Sequence, residues 1–193
     1  MTKLPLAHYI KKISKKVNYC SLYFYKARNS SFFVMLWLID YSPVGIAGLL
    51  KVSNGVNILD FETRYTADFA YSWLVSMGQA GRTFHLTGVM PLDKLFPPRF
   101  MLFMFCWLSL LLQKTKSNSK FFLIALLPPV YMLLDWTENI WITAMLMNFP
   151  ERLNKICVAT GIITSVKKSC TTCDYFVYNL TCSFADKNKS RKK

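Results

Sequence analysis

Apolar runs of bilayer length, with most of the charge pushed to their ends, constrain this chain more than any other feature. A bilayer core about 30 Å thick needs roughly 20 helical residues to cross it. Residues 32–50 form one such run, broken by Asp40 and Pro43. Residues 100–112 are the centre of a second, which reaches spanning length only by drawing in residues from Val89 onward, past Pro97 and Pro98. Residues 121–147 form the third and carry Pro128 and Pro129 in their first half. A fourth, residues 153–166, is only about 20 Å long as a helix. It crosses if Lys167 and Lys168 snorkel to the far headgroups or the helix continues to about residue 176.

Composition agrees with this solvent. Of the 193 residues 53% are hydrophobic and 18% charged, where soluble domains carry about a quarter charged. So much Phe, Leu and Ile excludes a disordered chain, while 7 Gly and 6 Cys exclude a collagen or a disulfide framework. The net charge of +14 lies mainly in the flanks. Lys3, Lys11, Lys12, Lys15, Lys16, Lys26 and Arg28 precede the first run without an acid, Lys114, Lys116 and Lys120 follow the second, and the chain ends in Lys187, Lys189, Arg191, Lys192 and Lys193. Lys and Arg beside short membrane loops stay cytoplasmic, so both termini and the loop after the second span are expected inside. The expected fold is all-α, an integral membrane bundle of four transmembrane helices with an interfacial helical excursion between the first and second. Its parts are a basic amphipathic arm at 1–31, spans at about 32–50, 89–113, 121–147 and 153–176 within a domain of 32–184, and a basic tail at 185–193.

In the arm, Leu6, Ile10, Ile13 and Val17 share one helical face and lysines the other, after Pro5 in a first turn. Such a helix lies on anionic lipid. An acid-free amphipathic start is also compatible with mitochondrial targeting, although those segments favour Arg and Ser. The basic residues are split between two tails and a loop with no recognition motif, so nucleic acid is not an expected partner; lipid and membrane proteins are.

Between the first two spans the chain turns polar. Thr66 is a good N-cap, Asp68 suits the first turn of a helix and Gly78 suits its end, which places Phe69, Trp73 and Met77 on one face. That face is expected to pack on the bundle or dip into the interface; a lid over a site is the sharper alternative. Gly81-Arg82 then opens a helix that carries Asp93 into the bilayer, where Arg82 is placed to pair with a carboxylate.

The third span holds the most informative feature, Asp135-Trp136-Thr137-Glu138-Asn139. Spacings of three and four put Asp135, Glu138 and Asn139 on one face. Each acid costs on the order of 3 kcal/mol at mid-membrane even on the lenient insertion scale, so both must be paired, protonated, metal-bound or wet. Asp40, Asp93, Lys94, Arg99, Arg82 and Lys167 are within range of these spans. A carboxylate pair with Arg82 or Arg99 that fixes helix register is the favoured reading. An ion or proton pathway through the coupled acids comes second. A hydrolase comes third, since the chain offers only His8 and His85; no catalytic residue, metal or cofactor is expected.

Cys170-x-x-Cys173 and Cys182 follow the fourth span. A zinc site needs four ligands and no second pair supplies them. Quinone reductases of the vitamin K type also place a CxxC in a fourth span, but they relay electrons through cysteines after the first, and residues 51–99 here contain none. S-acylation of Cys170, Cys173 and Cys182 beside basic residues is the expected fate.

Taken in order, Tyr65-Thr66, Gly78-x-x-Gly81-Arg82, Asp93-x-x-Phe96-Pro97 and Asp135-x-x-Glu138-Asn139 resemble the pattern of uncharacterised small four-span membrane proteins, mostly bacterial. The resemblance covers roughly residues 65–139. It implies the four-span architecture and draws attention to Arg82, Asp93, Asp135, Glu138 and Asn139, without implying a reaction. The expected function is therefore a non-enzymatic multi-pass membrane protein acting through protein or lipid partners, with an ion- or proton-coupled transporter as the alternative.

Overall fold

The computed structural model describes residues 5–16, 21–62, 64–114 and 119–170, and among these there is no strand. The α-helices are α1 (Pro5–Lys16), α2 (Ser21–Tyr41), α3 (Ile46–Val52), α4 (Ala67–Ser76), α5 (Gly78–Phe84), α6 (Met90–Lys114), α7 (Leu127–Asn148) and α8 (154–170). The chain is thus all-α over its described residues. A π-helical turn at His85–Val89 joins α5 to α6, so the helix expected to open at Gly81 begins three residues earlier, at Gly78, and runs on into the span expected from Val89.

Prolines set several boundaries. Pro43 has no amide hydrogen, and α2 ends just before it; the Ser42 hydroxyl donates back to the Leu38 carbonyl, and α3 restarts three residues later. The turn is so tight that a Cβ on Gly48 would lie 1.8 Å from the Pro43 carbonyl oxygen. Pro128 and Pro129 occupy the first turn of α7, where an amide has no helical partner to lose, and the preceding Ser119–Leu126 is wound as a 3-10 helix. Pro97 and Pro98 lie inside α6.

The polar connection forms α4 where its signals predict a helix. The Thr66 hydroxyl accepts from the Phe69 amide at 3.2 Å, Asp68 is in the first turn, and Gly78 stands at φ +66 just beyond the end. Trp73 and Met77 are buried, and Trp73 Nε1 donates to the Asn57 carbonyl at 2.7 Å, but Phe69 remains 42% exposed. Ahead of α4, residues 61–62 and 64–66 run antiparallel to α8. Lys168 Nζ donates to the Phe61 carbonyl at 2.8 Å near one end of α8, Tyr65 packs on Gly161, and the Tyr71 hydroxyl meets Leu153 and Glu151 at the other. This course brings the one-turn 3-10 helix Leu59–Phe61 against α7 and α8, deep enough that Leu59 is fully buried.

The main core gathers Leu49, Leu59, Leu74, Met77, Met90 and Ile142 from α3, the connection, α4, α6 and α7. Rings of Phe32, Phe96, Phe100, Phe103 and Tyr131 join α2, α6 and α7, with Phe32 and Phe103 stacked at 4.6 Å. In α1 the expected apolar face is only partly used: Ile10 is buried against Leu112 and Ala125, while Leu6 and Ile13 stay 51% and 41% exposed.

Candidate functional site

Two helices and one loop converge on a single ammonium. The spacing of α7 presents Asp135, Glu138 and Asn139 inward, and all three are buried. On α8, Thr160, Thr164 and Lys167 follow at intervals of four and three on one buried face. The Leu59–Phe61 turn delivers Asp60, held in place by buried Leu59 beside it. Lys167 Nζ donates to Asp60 Oδ2 at 2.8 Å and to Asp135 Oδ1 at 2.9 Å, and is ion-paired with Glu138. The Lys167 side chain is 7% exposed, Asp135 7%, Glu138 0% and Asp60 24%.

A second layer orients these groups. The Thr164 hydroxyl contacts Glu138 Oε1, and Asn139 Nδ2 donates to Asp135 Oδ2 at 3.2 Å and reaches the Asp93 carbonyl at 3.4 Å. Tyr65 is buried on the same side of α8, and burial pushes its phenol above the usual range, which keeps it neutral. One oxygen from each of Asp60, Asp135 and Glu138 lies within 4.8 Å of the others, a spacing that would suit a cation. Here the Lys167 ammonium touches all three. Three carboxylates facing one ammonium leave a deficit of two positive charges when all are ionised.

Beside the network is a cavity of about 140 Å³ between α2, α6, α7 and the connection. Asp40, Asp60, Asp93 and Asp135 line it together with apolar and aromatic side chains such as Ile58 and Phe96. A larger and more open groove, about 530 Å³, lies elsewhere, between residues 64–66 and the outer face of α8; it is mostly apolar and carries no paired charges. The smaller cavity is the one that touches the chemistry.

Arg82 and Arg99 do not join the network, and the expected pairing with them is corrected. Arg82 Nη1 donates to the Leu74 carbonyl at 2.7 Å and its guanidinium lies 4.0 Å over the Phe149 ring, tying α4 to the end of α7. It stands eleven residues ahead of Asp93, about 16 Å along the helix, too far to reach the acids. Arg99 donates to the Leu95 carbonyl of its own helix at 3.0 Å, and six residues after Asp93 it sits on another side of α6. Lys167, also within range on the sequence, takes the place assigned to arginine.

Asp60 was not anticipated from sequence. Its one signal is the apolar pair Ile58-Leu59 just before it, which turns inward, while Phe61 after it stays 61% exposed. No histidine belongs to the cluster: His85 meets Trp73 edge-on at 5.7 Å and His8 is exposed on α1. Cys170 is half-buried at the described end of α8, while Cys173, Cys182 and the basic tail lie outside the described residues. No protein-family model, curated protein or solved structure matches the chain.

Proposed function

We propose that the chain is a non-enzymatic integral membrane protein of four spans, with both ends cytoplasmic. In this reading it acts through lipid and membrane-protein partners, and the Lys167 network is the lock that holds α7, α8 and the connection together. The observation that carries the reading is the seating of one buried ammonium on Asp60 and Asp135 at 2.8 and 2.9 Å, with Glu138 beside it. Charges inside a bilayer are tolerated when they face the bundle interior and one another, as these do.

The outward faces support a lipid surrounding. Phe33, Trp37 and Tyr41 on α2, Leu133, Ile140 and Met147 on α7, and Val158, Ile162 and Val166 on α8 are each exposed by 45% or more and recur at helical spacing. Stripes of this kind, opposite a polar interior, would be costly in water and are ordinary in lipid. Among the described residues one helical stretch, Ser31–Val52, is long and apolar enough to cross by length and composition alone. Reading α6, α7 and α8 as spans depends on their charges being compensated inside.

The acid-lined cavity favours a second reading, an ion- or proton-coupled carrier that uses Asp135 and Glu138. Asp135→Asn combined with Glu138→Gln separates the two. Failure to accumulate in membranes supports the lock, whereas normal accumulation with lost ion flux in reconstituted vesicles supports the carrier and removes the lock.

A further inference from the structure

The open groove beside residues 64–66 has a patterned wall on α8. Val158, Ile162 and Val166 follow at intervals of four and form a ridge that is exposed along its length. Next to it runs a second row at the same interval, Gly161, Ser165 and Ser169, which is shallow. The Ser165 and Ser169 hydroxyls donate at 2.9 Å to the carbonyls of Gly161 and Ser165, so both donors are spent on their own helix. A raised row of Val and Ile beside a lowered row of Gly and Ser is the relief by which one helix packs on another. Two charges stand at the edge of this face. Arg64 lines the groove and Glu62 precedes it by two residues; both are exposed, and neither side chain has a hydrogen-bond or ion-pair partner among the described residues. Lys168 Nζ donates to the Phe61 and Glu62 carbonyls at 2.8 and 3.2 Å, which fixes this edge against α8.

We propose that this face docks a second copy of the chain, across a twofold axis that passes beside Glu62 and Arg64. A twofold contact brings the same patch of both copies together, so it requires a surface that complements itself. This face does so in shape and in charge. The ridge of Val158, Ile162 and Val166 on each protomer meets the shallow row of its partner, and Arg64 of each protomer meets Glu62 of its partner. A phospholipid would fill the apolar groove but set its phosphate beside Glu62, a charge of like sign. An unrelated helix would need an acid and a base in matching order, and this chain already carries both. The groove holds about 530 Å³ and its α8 wall runs from Val158 to Ser169, about 16 Å, which accommodates about three turns of a facing helix. Within a bilayer an unpaired guanidinium abreast of the middle of α8 is costly, so its neutralisation by a second copy counts for more there than in water. The proposal goes beyond the lock, since none of these residues belongs to the Lys167 network, and the contact does not depend on which helices cross a membrane.

The test is self-association of the full-length protein in detergent, read as energy transfer between donor- and acceptor-labelled copies across a dilution series. The parent is expected to dimerise. Arg64→Glu alone and Glu62→Arg alone each set like charges across the axis and are expected to weaken the dimer by about tenfold or more. An equal mixture of the two variants is expected to recover it, because every facing pair is then of opposite sign. Ile162→Ala lowers the ridge and is expected to weaken the dimer by about tenfold as well. The substituted side chains make no bond within one copy, so the folds are expected to persist by circular dichroism; if a charge variant fails, Ile162→Ala is read by the same criterion. A parent that stays monomeric overturns the proposal, as does a dimer indifferent to Arg64→Glu and Ile162→Ala. A monomer in which Ile162→Cys forms a disulfide with Cys173 or Cys182 of its own chain overturns it and gives the groove to the tail. Phospholipid that copurifies with a monomeric parent and is lost with Arg64→Glu overturns it and gives the groove to lipid. Failure of the lock or of the topology leaves these results untouched, and a monomeric protein leaves both of those standing.

Discussion

Replacing Lys167 with Met keeps the length and apolar stem of the side chain and removes only the ammonium. At 2.9 Å and an effective dielectric of about 20, each contact supplies roughly 6 kcal/mol of gross attraction, most of which offsets the cost of taking the ions out of water. The net value of the intact network is therefore small, but the cost of breaking it is not. Lys167→Met leaves Asp60, Asp135 and Glu138 with oxygens within 4.8 Å of one another and no other ion-pair partner among the described residues. Removing one partner from a buried ion pair costs about 3–5 kcal/mol, a large share of the 5–15 kcal/mol that holds a typical domain. The expected outcome is loss of most membrane-inserted protein and a melting temperature in detergent lowered by ten degrees or more. Adding Asp135→Asn and Glu138→Gln to Lys167→Met removes the repulsion and should recover much of the loss. Fluorescence-detected size exclusion with a thermal ramp reads all three proteins. A Lys167→Met variant that melts within a degree or two of the parent would refute the reasoning.

Other consequences are smaller and separable. Thr66→Ala removes the cap on the Phe69 amide and should cost about 1 kcal/mol by denaturant titration. Asp68→Asn breaks a bridge to Arg152 whose side chains are 87% and 50% exposed, and should change stability by less than about 0.5 kcal/mol in the same assay. Burial lowers the His85 imidazole to about 4 against a weak opposing pull from Asp60, so the fold holds it neutral while the unfolded chain protonates near 6.5. Its contribution is present above that value and is lost as pH falls, by about 3 kcal/mol at pH 4. His85→Leu should therefore lose less stability than the parent between pH 6.5 and 4 when both are melted across that range.

The readable parts of this fold were those set by local pattern. The all-α class followed from long apolar runs, α4 from Thr66, Asp68 and Gly78, and the shared face of Asp135, Glu138 and Asn139 from helical spacing alone. What spacing does not carry is rotation and level between elements. Arginine was favoured over lysine for its bidentate geometry, yet Arg82 lies too high on its helix and Arg99 turns to its own backbone, while Lys167 shares a buried face with Thr160 and Thr164. The spacing of that Thr-Thr-Lys stripe is itself visible in the sequence. Asp60 was harder, because a loop residue reaches the core through contacts of Phe61 and Tyr65 with α8 that no local pattern encodes. Gly78 and Gly81 pointed to a tight turn or close backbone packing, and each has one of these: Gly78 stands at φ +66, while Gly81 packs closely on Met77 and Ser53.

The most direct test of the account is the sidedness of two epitope tags, one inserted after Asn54 and one after Lys116, read by protease protection in sealed membrane vesicles. Four spans with both ends inside place the first tag outside and the second in the cytoplasm, so only one of them is cleaved from a given side. If both tags are cleaved from the same side, the second long helix does not cross, and the four-span bundle built around Lys167 is contradicted.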